Sequence, residues 1–206
     1  WVENNRRQED LNKTYDALMD MVGVLNLPPK SLSLNGQLGL AFGARGIGGK
    51  NPPLAHYEHS EVVINLTKNK GAGSLAHEWF HALDNYFSKK TEMGDGMMTD
   101  KIKSYTHYEE EQAAQNGFEM LQKTLANTEL VKRSAEIDNF KSKTYWSLPH
   151  EMAARAFESY IKNKLEERGI RNDFLVNIRS ENSWGSVAEK SVVKNDYPYP
   201  TKAEVE

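Results

Sequence analysis

Apolar positions recur at helical spacing in the first stretch of the chain. Leu11, Tyr15, Leu18, Met19 and Val22 predict a helix over residues 8–25, ended by Pro28 and Pro29. The period then shortens. Leu32 and Leu34, then Leu38, Leu40 and Phe42, alternate with polar residues around Asn35-Gly36, which predicts a hairpin. A glycine-rich loop from Gly43 to Pro53 follows, and Glu61 to Leu66, within 56–67, reads as a strand.

Gly71-Ala72-Gly73 interrupts the chain, and Ser74 is placed to cap a helix running to about Ser88. Leu75, Ala76, Trp79, Phe80, Ala82, Leu83, Tyr86 and Phe87 make that helix apolar on most sides, the pattern of a buried element. Its polar exceptions, His77, Glu78, His81 and Asp84, lie along one face. Beyond a loop at 89–101, helices are expected near 107–126 and 130–140. Another starts at Pro149, continues to about Glu167 and stops at Gly169. The end of the chain, after Ser180 and including Tyr197-Pro198-Tyr199-Pro200, is expected to be extended. No internal repeat is present.

The polar exceptions carry the chemistry. His77-Glu78-Trp79-Phe80-His81 sets two imidazoles one helical turn apart, the spacing that closes on one zinc ion, with Glu78 placed as general base toward a metal-activated water. A catalytic zinc needs a third protein ligand and one open position. Glu151, Arg155 and Glu158 share a face of the helix that begins at Pro149. Glu151 is the favoured ligand, Glu158 its rival, and His150 and His107 weaker alternatives. The bland reading makes Glu151 an ordinary first-turn acid favoured by the helix dipole. Asp84, one turn beyond His81, could accept the outer N–H of a zinc-bound imidazole, or could cap the helix or pair with Arg155. Tyr145 could donate to a tetrahedral oxyanion or simply pack beside Trp146, with Tyr105 and His107 further candidates for the donor.

Composition narrows the classes. Of 206 residues, 38% are hydrophobic and 27% charged, ordinary for a globular domain, and the net charge of -3 gives no global case for nucleic-acid or membrane binding. The absence of cysteine excludes disulfides, thiolate metal sites and cysteine nucleophiles. No apolar run approaches the roughly 20 residues that span a bilayer. The glycine-rich segment Gly43–Lys50 resembles a phosphate-binding loop, but it lacks the first glycine at the required spacing and has Asn51 where Ser or Thr would hold magnesium. The start at Trp1 carries no signal peptide and no initiator Met, so the chain is expected to be a piece of a longer polypeptide.

Several motifs resemble a known family. Leu40–Gly46, His56-Tyr57, Ile64–Lys68 and Gly71–Trp79, followed by Tyr145-Trp146-Ser147, Glu151-Met152, Ala154–Glu158 and Tyr197–Thr201, are similar to the first of the large polyvalent protein-associated domains of phages and conjugative elements. The resemblance covers about residues 30–202, with Phe80 where that family often has glycine. It implies a module of very large proteins carried by mobile DNA into recipient bacteria, and hence a cytoplasmic setting. The site also resembles the lethal-factor-type gluzincins, over the two helices alone. That likeness implies Glu151 as third ligand and Tyr145 as the assisting tyrosine.

The expected fold is a single α+β zincin-like domain over 1–206. Residues 1–29 form its N-terminal helix, a small and mostly antiparallel sheet packs on the active-site helix, and 185–206 are extended. The expected function is peptide-bond hydrolysis with Zn²⁺ held by His77, His81 and Glu151. Glu78 acts as base, and the strand at 61–67 forms the edge on which a protein or peptide substrate pairs. The alternative is a catalytically silent zinc-binding docking module of a larger protein. A hydrolase acting on nucleic-acid-bound protein is a third reading, which the net charge does not favour.

Overall fold

The N-terminal helix ends by its own backbone geometry before the prolines are reached. Helix α1 (Asn4–Leu25) stops at Asn26, which adopts the left-handed conformation (φ 53°), and Leu27 N–H returns to the Val22 carbonyl at 3.4 Å. Its buried line is Thr14, Ala17, Met21 and Val24, not the apolar stripe read from the sequence. Leu11 and Tyr15 are exposed. Tyr15, Leu18, Met19 and Val22 instead face an apolar cavity of about 260 Å³ whose other walls include Ile64 and Trp79.

The computed structural model describes residues 3–43, 54–67, 72–91, 94–101, 109–188 and 197–205, with positions 110 and 185–188 described by backbone alone. The glycine-rich stretch 44–53, Lys68, Gly71, Tyr105 and His107 lie outside the described residues.

The expected hairpin at 32–42 is not formed. Pro29–Ser33 make a 3₁₀ turn, and three successive residues, Leu34, Asn35 and Gly36, have positive φ (49°, 61° and 77°). A two-residue hairpin turn needs only its two central residues there. With Leu34 also left-handed, the preceding segment cannot run back as a strand. Only the second half becomes a strand, β1 (Gly39–Phe42).

β1, β2 (Ala55–Glu58) and β3 (Val63–Leu66) form a mixed sheet of order β1-β3-β2. β1 runs parallel to β3, with Leu40 opposite Ile64, and β2 runs antiparallel to it, with Tyr57 opposite Ile64. This corrects two expectations. The sheet has one parallel and one antiparallel pairing rather than being mostly antiparallel. The strand at 61–67 is also central: both its ladders are taken, so no peptide can pair along it.

Among the described residues after the sheet, the regular elements are helices: α2 (Leu75–Lys90), α3 (Glu109–Ala126), α4 (Glu129–Asn139), α5 (Pro149–Glu167), α6 (Glu181–Ala188) and α7 (Lys202–Val205), with a 3₁₀ turn at Met98–Asp100. The protein is therefore α+β. The extended run expected after Ser180 is contradicted by α6. Ser180 caps it, its Oγ accepting the Ser183 N–H at 3.3 Å and its carbonyl accepting Trp184 N–H at 2.9 Å. None of the described helices is long and apolar enough to cross a membrane.

The chain divides into two compact units, residues 1–83 with 161–177 and residues 84–160 with 178–206, so the division passes through α2 and α5. The first unit has an apolar core that includes Met21, Ile64, Leu75, Trp79, Ile161 and Leu175. The second buries Met98, Phe118 and Leu130 but also Arg133, Ser134 and Arg155, a far more polar interior.

Candidate metal centre

The two histidines of α2 are fixed by how that helix starts. Gly73 N–H donates to the Phe174 carbonyl at 2.8 Å, Asn177 N–H to the Gly73 carbonyl at 3.0 Å, and Ala76 N–H to the Leu175 carbonyl at 3.2 Å. The turn at 174–177 thus satisfies a donor that helix starts leave open, and Ser74 serves as cap residue through its carbonyl, which accepts Glu78 N–H at 3.0 Å. Gly73 is required there. It has φ +95°, and a Cβ on it would stand 2.5 Å from that of Asn177. One turn on, the indole N–H of Trp79 donates to the Leu32 carbonyl at 3.0 Å, which fixes the rotation of the helix.

With α2 so held, the Nε2 atoms of His77 and His81 stand 3.1 Å apart, their rings crossing at 82°. Two nitrogens bound to one tetrahedral zinc at about 2.05 Å would be separated by about 3.3 Å, so the pair has the spacing of two ligands of one ion. His77, His81 and Glu151 each offer one ligand atom, and these atoms lie within 4.8 Å of one another. A His₂Glu donor set suits a borderline ion such as zinc and leaves one position of a tetrahedron open. The three residues fit a divalent cation. Glu78 lies between the histidines on the same helix and is buried.

Glu151 stands in the first turn of α5, and polar contacts hold the backbone that leads to it. Asp138, at the end of α4, accepts the N–H groups of Tyr145 (3.0 Å), Trp146 (3.0 Å) and Ser147 (2.8 Å) and the Ser147 hydroxyl (2.6 Å). Burial alone would raise the Asp138 pKa, but these bonds outweigh it and hold the carboxyl below the ordinary aspartate value. Arg155 is almost wholly buried. Its Nε donates to the Glu151 carbonyl at 3.1 Å, its two terminal nitrogens donate to the Trp146 and Pro198 carbonyls, and its guanidinium lies 5.1 Å from the centre of the Trp146 ring. Burial pulls its pKa down from the usual arginine value, against the carboxylates of Glu151 and Glu158.

A second arginine secures the segment that Arg155 reaches. Arg133 donates to the carbonyls of Tyr197 (3.0 Å) and Tyr199 (3.1 Å) and pairs with Glu204 at 2.7 Å. Glu204 also accepts Thr201 N–H at 2.8 Å and Leu130 N–H at 3.0 Å, so it serves the first turns of both α7 and α4.

The remaining candidates go elsewhere. Glu158 is buried but does not enter the metal group; the charge it acts on is Arg155, and it also acts on the Tyr199 phenol, whose pKa is raised chiefly by burial. Asp84 accepts from Thr99 through its N–H (3.0 Å) and hydroxyl (2.5 Å) rather than from an imidazole or Arg155. Burial lifts its pKa to about 6 despite those bonds. His150 pairs with Asp100 at 2.8 Å, and its other nitrogen is 3.8 Å from the Glu151 carboxylate. The bond to Asp100 raises the His150 pKa although burial opposes it. Tyr145 is 44% exposed and stands edge-on to Trp146, 5.4 Å between ring centres.

Asp138, Arg133, Thr99 and Glu204 were not singled out from the sequence. Thr201-Lys202-Ala203-Glu204 carries a legible signal, the capping-box spacing. Asp138 and Arg133 bond largely to backbone, and Thr99 to the Asp84 carboxylate fifteen residues before it, which no residue pattern announces.

Residues 137–206 match the family model of the Large polyvalent protein-associated domain 1. The resemblance read from the sequence is borne out over that stretch, which holds Asp138, Glu151, Arg155 and the Tyr197–Pro200 segment. His77 and His81 lie before it. No curated protein and no solved structure matches the chain.

Proposed function

We propose that this protein is a zinc-dependent metallohydrolase, most simply a peptidase, with a zincin-like fold. The observation that carries the reading is the convergence of His77, His81 and Glu151 ligand atoms within 4.8 Å, with Glu78 on the same helix as the two imidazoles. His77, His81 and Glu151 would hold the ion. Bound there, zinc supplies a Lewis acid that polarises a carbonyl and makes water a nucleophile near neutral pH. Glu78 then takes the proton from the attacking water and passes it to the leaving amine. An extended substrate chain has no place on β3, but β1 and β2 each keep one side unpaired among the described residues. The family match supports a setting within a large polyvalent protein.

The test is a peptide-library digestion by the parent and by Glu78→Gln. The parent is expected to cleave, to lose cleavage to a chelator and to recover it with Zn²⁺. Glu78→Gln should retain the metal, measured by elemental analysis, and lose turnover by at least about a hundredfold. Cleavage by Glu78→Gln at the parental rate removes the general-base assignment. A metal-loaded parent that cleaves nothing favours a silent docking module.

A further inference from the structure

Arg155 heads the fully buried side chains by size among the described residues. A buried guanidinium ordinarily faces a carboxylate across a direct ion pair. Arg155 instead spends its fork on three backbone carbonyls from three separate stretches: Trp146 before α5, Glu151 in its first turn, and Pro198 in the C-terminal segment. The Trp146 ring supports the guanidinium at 5.1 Å. A carbonyl inside a helix normally needs no side-chain donor. Here the added donor falls on the backbone of the residue whose carboxylate belongs to the metal group. Pinning that carbonyl and the Trp146 carbonyl with one rigid plane fixes the direction in which the Glu151 side chain leaves α5.

We infer that Arg155 is the positioning residue of the metal centre, holding the Glu151 backbone so that its carboxylate is directed to the imidazole pair before a divalent cation arrives. This rests on the metal-centre reading above and adds to it the part that orients the third ligand. Outer-sphere partners of metal ligands typically change affinity by about 10- to 100-fold when removed. Lysine cannot replace the fork, because a single ammonium is a point donor that cannot span three carbonyls in one plane.

The experiment is a Co²⁺ titration of the full chain, followed by visible absorption, with Arg155→Met, Arg155→Lys, Glu151→Gln and Arg133→Lys. Arg155→Met is expected to bind Co²⁺ about tenfold to a hundredfold more weakly, with its absorption bands displaced toward those of Glu151→Gln. Arg155→Lys should fall between Arg155→Met and the parent. Arg133→Lys loosens the same C-terminal segment through Tyr197 and Tyr199 but touches nothing at Glu151. It should lower the thermal midpoint and leave Co²⁺ affinity and spectrum as in the parent. A folded Arg155→Met with parental affinity and spectrum overturns the inference, and so does an Arg133→Lys that weakens Co²⁺ equally. Should Arg155→Met fail to fold by circular dichroism, Arg155→Lys decides on the same two readouts. A parent that takes up no Co²⁺ overturns the metal centre itself, which separates the two failures.

Discussion

The start of α2 and the start of α5 deliver ligands of the same candidate centre by opposite physical means. The α2 start is held by close backbone approach and apolar burial: Gly73 against Asn177, Trp79 on Leu32, Leu75 and Ala76 without exposure. The α5 start is held by charged side chains gripping backbone: Asp138 on 145–147 and Arg155 on Trp146, Glu151 and Pro198, while Arg133 with Glu204 holds the separate segment 197–201. The first arrangement depends on shape and is indifferent to pH. The second depends on ionised groups, so acid should reach it first. A chain that loses Glu151 positioning while His77 and His81 remain in place would keep two-thirds of its ligand set and little of its affinity.

The largest expected effect tests the shape-based side. Gly73→Ala places a Cβ where the structure has 2.5 Å of room and forces a left-handed backbone on an L-residue, so it should destabilise the fold by about 3 kcal/mol in urea unfolding. A change under about 0.5 kcal/mol would show that the α2 start is not held by close approach. Next comes Asp138→Ala, which strips four bonds from the turn before α5. It should cost about 2 kcal/mol and weaken metal uptake with it.

Acid titration sharpens the contrast further. Asp138 and Glu204 have folded pKa values below their ordinary 3.8 and 4.5. Below those values the unfolded chain binds protons that the native state refuses. Stability present above about pH 4.5 is therefore lost as the pH falls through the depressed folded values. Urea midpoints at pH 5, 4 and 3 should fall for the parent and fall less for Glu204→Gln, which starts lower. Asp84 gives the smallest effect and the opposite sign. Its folded pKa of about 6 exceeds 3.8, so between those values the native state holds the extra proton and stability rises as the pH drops. Asp84→Asn should be near neutral at pH 5, where the parent carries the proton, and should abolish the rise between pH 7 and 5. An unchanged rise in that variant would place its origin elsewhere.

The sequence made one side of this comparison far easier to read than the other. His77 and His81 follow from helical spacing, and α5 from Pro149 to Glu167 follows from proline and glycine punctuation. Its place in the first helical turn favours Glu151 over Glu158, and a resemblance reinforces that choice, which spacing leaves open because two acids two turns apart on one face satisfy the same pattern. The hairpin expected at Asn35-Gly36 failed at Leu34, whose positive φ is set by the 3₁₀ turn before it and has no local signature. Strand order was not legible either: alternation identifies a strand, but nothing in Val63–Leu66 says that it lies in the middle. The grip of Arg155 stayed hidden because its acceptors are carbonyls, which every residue possesses, and that of Arg133 because its carboxylate partner, Glu204, lies far away in the sequence.

The order of the sheet also governs assembly. β1 and β2 share no ladder; each finds its partner only in β3. As the polypeptide leaves the ribosome, neither early strand can nucleate a sheet until Leu66 has emerged, and the parallel pairing, which sets Gly39 opposite Val63, must then close the long connection between Phe42 and Val63. The histidine-bearing helix follows soon after that closure, but the 174–177 turn that holds its start and the Glu151 carboxylate come far later in the chain, so the candidate donor set is complete only once α5 and the segment after it have been made.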